Sequence, residues 1–415
     1  MIIAQTVSYF STLICFKEVA HMKRMFLACL VSSSMMIISG CAGGGGGGGE
    51  YLNPRPTFSV SDISDGLTEQ GAVAEDYSNA GTALQNIFSQ QSSDIDLSGY
   101  DNDGSKISIE HGNSIDVFFN NNLLSEFKTG ENGDVNIYSD TSGNSELIAF
   151  KDMSSETLQE WKQIEPELPS PGDTATTNPN EDGWIVIDEG FKGDKSDPVY
   201  FKGTVFPYKE FLILNAGLDL EYSSFGGWGY AVEATGDFKH KGGTYSNIDY
   251  AAIGYLPVSG GMNDKLAAPE ANAEFHGKAV AMAEMKNPDG ISSPYQEFYR
   301  GDVTLTVDNA DAHLEMRFPN FYDINFELAI AGTGFTAKPG LTPTIQSRAD
   351  TNSNIKLTQD IISPVEDGKS PHGSKYTYMN GNFYGNGVAT ESVGRFNIKA
   401  DNNINVTGSF GGVKQ

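Results

Sequence analysis

The sequence predicts an all-β chain, with a β-rich N-terminal module followed by a soluble eight-stranded antiparallel β-barrel. Three observations predict it. Apolar and polar residues alternate in short runs from Ile107 to Val413, the period of two expected of strands with one wet face. The chain carries 47 Gly and 11% aromatic residues, as turn-rich barrels and sandwiches do. About eight runs follow Gly227, enough to close a barrel.

Before those runs lies a leader. From Met22 the chain gives Lys23-Arg24, the apolar stretch Met25 to Ile38, and then Ser39-Gly40-Cys41. Positive residues, a short apolar core and small residues before Cys are the parts of a bacterial lipoprotein signal. Residues 1–40 are therefore expected to be removed and Cys41 to carry the lipid. Met22 is the expected start of translation. The alternative, a transmembrane helix, is opposed by Ser32-Ser33-Ser34 within the run and by glycines where a basic flank would stand. Cleavage takes away Cys15 and Cys29, so Cys41 is the remaining thiol and no internal disulfide is expected. Ala42 follows the Cys, without the Asp that favours inner-membrane retention, and the expected destination is the outer membrane. Residues 41–59, with Gly43 to Gly49 and Pro54-Arg55-Pro56, form the tether of the mature chain.

Residues 60–226 make the first folded module. Gly81 to Phe88 carries weak helical spacing. Strand runs follow at Ile107–Ile109, Ser114–Phe119 and Val135–Tyr138, separated by Asn, Gly and Asp. Glu165 to Gly183, with Pro166, Pro169, Pro171 and Pro179, reads as a long loop or a linker. The β pattern resumes at Trp184–Ile187, Val199–Phe201 and Phe211–Leu214, so the module boundary falls between Asn178 and Gly227. Residues 227–415 make the second module. Its expected strands include Gly229–Ala234, Glu274–Met282, Asp302–Val307, Ala312–Phe318, Ile324–Ile330, Gly381–Gly385, Val393–Ile398 and Ile404–Phe410. These runs are shorter than membrane-spanning strands and are flanked by acids, which favours a soluble barrel.

Composition excludes several functions. Asp and Glu number 54 against 27 Lys and Arg, a net charge of −27, which rules out nucleic acid as a direct partner and a basic patch as the membrane anchor. The sequence has no His-Glu-x-x-His, phosphate loop, Gly-x-Ser-x-Gly elbow or Cys pair, so no enzyme is expected. Asp101-Asn102-Asp103-Gly104 with Glu110 partly matches a calcium loop, but Gly99 stands where that loop needs Asp, and a tight turn is expected. His240, His276, His313 and His372, with Tyr245, Tyr250, Tyr295 and Tyr299, are the residues able to ligate haem iron. Their scattered spacing favours ordinary strand positions. Two aromatic clusters could anchor a partner. Ser223 to Tyr230 reads mainly as barrel-bend packing; Pro294 to Arg300 is balanced between packing and contact.

The segment Gly381 to Phe396, read with Gly408-Ser409-Phe410-Gly411-Gly412-Val413-Lys414-Gln415, resembles the barrel ending of transferrin-binding protein B, and more loosely that of factor H binding protein. Gly277-Lys278-Ala279 and Gly301 to Val307 resemble earlier strands of the same barrel. The resemblance covers about the last 190 residues, a domain-sized window. The lipobox and glycine run resemble the same surface lipoproteins, which a surface lipoprotein assembly modulator carries to the outer leaflet. The resemblance implies an N-terminal handle domain followed by a barrel. Phe383, Phe396 and Phe410 are expected to point into the barrel, with glycines giving positive φ at its corners. It departs from transferrin-binding protein B in having room for one handle and one barrel instead of two pairs.

Three functions remain open. The leading one is a monomeric surface receptor for a host macromolecule, either an iron or haem carrier or a host regulator. The second is a carrier of haem or another small ligand to an outer-membrane receptor. The third is an adhesin without a soluble ligand. No ligand-binding residue is assigned by the sequence.

Overall fold

The computed structural model describes residues 63, 68–71, 95–100, 106–111, 114–128, 133–139, 145–158, 184–188, 199–240, 242–285, 293–319, 321–338, 343–347, 377–400 and 404–415. All belong to one compact unit, Tyr51–Gln415. The lipobox with Cys41, the tether, the 81–88 segment, the proline-rich loop, the 101–104 turn and His372 lie outside the described residues.

Twelve described strands form the first sheet: β1 (Thr68–Gly71), β2 (Ile95–Tyr100), β3 (Lys106–His111), β4 (Ser114–Phe119), β5 (Asn122–Lys128), β6 (Val135–Ser139), β7 (Ser145–Asp152), β8 (Ile185–Asp188), β9 (Val199–Val205), β10 (Lys209–Leu214), β11 (Ser223–His240) and β12 (Gly243–Met262). Their main order is β1-β6-β7-β10-β11-β12-β2-β3-β4-β5, with β9 on the far half of β11 and β8 on β9. The long β11–β12 hairpin is the spine. Gly226–Ala231 pairs with β10, and Ala234–Lys239 pairs with β9.

Both faces of this sheet are covered, which explains the unbroken apolar run Phe211-Leu212-Ile213-Leu214. Leu212 and Leu214 face a core made with Ile109, Val117, Phe127 and Trp228. Phe211 and Ile213 face the opposite way. A strand buried on both sides loses the alternation that marks a wet face. Asn120 and Asn121 turn β4 into β5 at φ of 48° and 67°, the left-handed pair that asparagine tolerates in a tight hairpin.

The free edge of β5 is closed by side chains and one turn. Leu124 O accepts from Thr157 Oγ1 at 2.5 Å, Glu126 O from Lys151 Nζ at 2.5 Å, and Lys128 O from Asp134 N at 3.0 Å. Inside the seam, the buried Glu210 accepts from Ser125 Oγ and lies 3.8 Å from Lys151. Burial pushes its carboxyl above the usual range, and Lys151, Ser125 and Trp228 oppose that.

The second sheet contains β13 (Glu274–Met285), β14 (Tyr295–Asp308), β15 (Asp311–Arg317), β16 (Tyr322–Ala331), β17 (Gly334–Ala337), β18 (Thr344–Ser347), β19 (Tyr378–Tyr384), β20 (Glu391–Ala400) and β21 (Ile404–Lys414). Eight of them close a ring, β13-β14-β15-β16-β17-β19-β20-β21 and back to β13, while β18 lies on β16 beside β17. Every pairing is antiparallel. Phe275, Leu305, Leu314, Phe326, Phe335, Phe383, Phe396 and Phe410 fill the ring. The three phenylalanines expected inside are there.

Three expectations are corrected. Gly229–Ala234 is not a barrel strand; it belongs to β11, whose Trp228 and Tyr230 face the first core, and the ring begins at Glu274 instead of Gly227. Alternation alone gives a strand and its faces, not the sheet it joins. The barrel strands are also longer than their runs suggested, with 12 residues in β13 and 14 in β14. The barrel is of the soluble type because its interior is apolar while its outer wall carries Glu274, Lys278, Asp302, Glu315 and Arg317, the reverse of a membrane barrel. Finally, most glycines of the closing strand serve close approach rather than positive φ. A Cβ on Gly408 would lie 2.4 Å from Val280 O. Only at Gly387, with φ of 87°, does the 381–396 segment use the left-handed region among the described residues.

Candidate functional site

The two interiors are filled, and the sheet is bolted to the barrel. Phe211, Ile213, Ile253 and Tyr255 pack on the outward-facing Val280 and Met282 of β13. Phe298 meets Phe211 and Tyr255 edge-on, at centroid distances of 5.7 and 5.4 Å. Phe225 of β11 lies over Gly411, where a Cβ would sit 2.5 Å from its ring. Glycine at this outward position makes the socket.

Polar groups fix the register of this contact. Glu391, 4% exposed at the start of β20, accepts from the backbone N–H groups of Glu221 and Tyr222 and from Ser223 Oγ at 2.7 Å. Burial holds its carboxyl above the usual range, and these donors pull the other way. Gln296 accepts from Ile253 N at 2.7 Å and donates to Ile253 O at 2.5 Å. Ser293 Oγ accepts from Ala251 N at 2.8 Å, and Arg300 pairs with Glu146 and donates to Ile63 O. Backbone groups of β12 are thus paired by barrel side chains.

The exposed large apolar side chains among the described residues are Leu123 at 55%, Leu266 at 39%, Tyr295 at 38% and Val388 at 38%. Leu123 stands beside the β4–β5 turn. Leu266 and Val388 share one rim of the barrel, where Gly385 N donates to Lys265 O and Ala389 N to Ala268 O. A concavity of about 320 Å³ opens between Ser259 of β12 and the outer wall of β16, β17, β19 and β20.

The aromatic clusters divide. In the first, Phe225, Trp228 and Tyr230 are all buried, so packing holds. In the second, Phe298 sits in the contact between sheet and barrel, Tyr299 stacks on Phe321 at 4.1 Å, and Arg300 is paired. Tyr295 alone of that cluster is strongly exposed. The alternation could not have separated these roles, because the second face of β14 meets protein instead of water.

The described haem candidates are not brought together. His276 pairs with Glu274 at 2.5 Å and His313 with Glu327 at 2.9 Å. Their strands are separated by β14, which puts the rows about 10 Å apart at ordinary strand spacing. His240 is buried at the far end of β11, while Tyr245 and Tyr250 pack against the cluster around Phe238. Among the described residues no three His, Cys, Asp or Glu side chains gather as metal ligands.

No family model matches the sequence, and neither does any curated protein. Solved structures do match. The intact Ap-TbpB with its N and C lobes is 14% identical, with 75% of this chain and 66% of that chain covered and a TM-score of 0.28. A transferrin-binding protein B from Haemophilus parasuis is 12% identical, with the same coverage and a TM-score of 0.26. One from Neisseria meningitidis is also 12% identical, with a TM-score of 0.24. This chain thus spans just under two thirds of those structures. The likeness concerns the fold alone, and the all-β assignment stands on the strand pairing itself.

Proposed function

We propose that the protein is a surface-anchored, non-enzymatic receptor lipoprotein that captures a host macromolecule. The observation that carries this reading is the filling of both interiors. The barrel ring is occupied by phenylalanine and aliphatic side chains and the first sheet by its own core, so the described residues leave no lumen inside either for a haem-sized cargo. Recognition then uses the outer surface, where large partners bind. The lipobox at Cys41 and the glycine tether support an outer-membrane, outward-facing anchor. The net charge of −27 favours a partner with a basic face and an association rate that falls with salt. An iron or haem carrier and a host regulator both remain within the class.

The test is affinity capture from host serum with the full-length chain in detergent, alongside a haemin titration read by absorbance. One dominant host protein, lost when Leu123→Asp and Tyr295→Ala are combined, is the expected result. Saturable haemin binding with no host protein would replace this reading with the carrier. Neither signal would leave the adhesin. Loss of the protein from membrane fractions in Cys41→Ser tests the anchor.

A further inference from the structure

The sequence holds three Asn-Gly pairs, Asn132-Gly133, Asn380-Gly381 and Asn386-Gly387. An Asn before Gly is a latent electrophile: the following backbone nitrogen can reach the side-chain amide carbon where no Cβ crowds it and the peptide plane between them is free to turn. Asn132 lies outside the described residues. The fold gives the other two pairs opposite settings.

Asn386 stands at the tip of the loop that joins β19 to β20 on one rim of the barrel. The shoulders of this loop are pinned: Gly385 N donates to Lys265 O at 2.8 Å, Ala389 N to Ala268 O at 3.2 Å and Thr390 N to Tyr384 O at 2.8 Å. Between them Asn386, Gly387 and Val388 are exposed. Among the described residues no hydrogen bond engages the Asn386 amide or the Gly387 N–H. Gly387 has φ of 87°, and apart from its chain neighbours no atom comes within 4 Å of where its Cβ would point.

Asn380 is inside β19. Gly381 lies opposite Phe335 of β17 on one side and Gly394 of β20 on the other, and a Cβ on it would sit 2.4 Å from the Phe335 ring. Asn380 Oδ1 accepts from Arg395 Nε at 3.3 Å. Swinging the peptide plane toward the Asn380 side chain would leave the extended conformation and break the ladder on both sides.

We propose that Asn386 is a site of spontaneous deamidation and that β19 protects Asn380 from the same reaction. The Gly387 nitrogen attacks the Asn386 side-chain carbonyl carbon. A bond forms between that nitrogen and Cγ, the bond from Cγ to Nδ2 breaks, and the nitrogen's proton leaves with Nδ2 as ammonia. Water then opens the cyclic imide at either carbonyl, giving aspartate or isoaspartate at position 386 with no net oxidation. Either product adds a carboxylate to the rim that carries Leu266 and Val388, and isoaspartate also adds a backbone carbon between the pinned shoulders.

The experiment incubates the full-length chain in detergent at mildly alkaline pH, with and without urea, and follows deamidation by mass spectrometry. No Lys or Arg lies between Lys375 and Arg395, so one tryptic peptide carries both asparagines and electron-transfer fragmentation separates the two positions and the two products. In the folded chain Asn386 should react about tenfold or more faster than Asn380, which reacts only when β19 opens locally. In urea the two rates should converge. Asn386→Gln should remove the mass gain at position 386 and leave Asn380 slow. Equal rates at the two positions in the folded chain overturn the proposal, as does an Asn386 that stays intact while folded. A difference that persists in urea also overturns it, because neighbouring sequence rather than the fold would then set the rates.

Discussion

Replacing Glu391 by Ala should destabilise the protein by about 2–4 kcal/mol. The carboxylate receives the N–H groups of Glu221 and Tyr222 and the Ser223 hydroxyl, and each donor left without a partner in a dry contact costs about 1–3 kcal/mol. Two effects hold the total below that sum. Glu221 is exposed, so water replaces part of the loss, and the variant no longer carries the cost of burying a charge. Glu391→Gln keeps the shape and one acceptor and should cost about 1 kcal/mol. Its pH dependence is the sharper test. Burial raises the folded-state carboxyl above its ordinary value, so the folded protein binds this proton more tightly than the unfolded chain does. The associated stability is fully present below the ordinary value and is lost as pH rises through the raised one. Stability should therefore climb as pH falls from neutral toward the carboxylate range, and Glu391→Gln should flatten the climb. Urea unfolding at pH of about 7 and about 5 measures both quantities. A midpoint unchanged in Glu391→Ala, or a pH slope identical in Glu391→Gln, would refute the argument.

Other expectations follow from the same contacts. Gly411→Ala places a methyl 2.5 Å from the Phe225 ring and 3.3 Å from Leu220, and should cost about 1–3 kcal/mol by overpacking; an unchanged thermal midpoint would show that the socket is loose. Phe410→Ala empties a fully buried site in the ring and should cost about 3–5 kcal/mol in denaturant unfolding. Lys151→Met combined with Thr157→Val removes two of the caps on β5; amide exchange should accelerate in β4 and β5 while β13 and β21 stay protected. His276→Ala and His313→Ala remove exposed contacts with Glu274 and Glu327 and should each shift stability by less than about 1 kcal/mol, leaving haemin titrations unaltered.

Much of the barrel was readable because its strands have one apolar and one wet face. Val303, Leu305 and Val307 recur at a period of two on β14, as Ile324, Phe326 and Leu328 do on β16, and Phe383, Phe396 and Phe410 fall inside as expected. Legibility failed where both faces meet protein. β10 reads as an unbroken apolar run, and Val280 and Met282 alternate with inward alanines, so nothing in the pattern of either strand announces that its second face is an internal contact. The misplaced boundary has the same origin. β11 and β12 have good strand patterns, but their partners are β10, β9 and β2, and pairing over such distances is set by packing. The cleft was invisible for another reason. Its residues come from four barrel strands and from β12, and each of Ala331, Gly334 and Asn382 reads locally as an ordinary strand or turn residue.

The topology also orders events during folding. β21 is hydrogen-bonded along one side to β13 and along the other to β20, so the ring is joined by the strand that emerges last among the eight. Until residues 404–414 join the sheet, β13 and β20 present open edges, and Val280 and Met282 lie on a wall that has not yet closed. Closure also waits on contacts across more than a hundred residues of sequence, which slows collapse. When β21 docks, the ring loses both open edges in a single step.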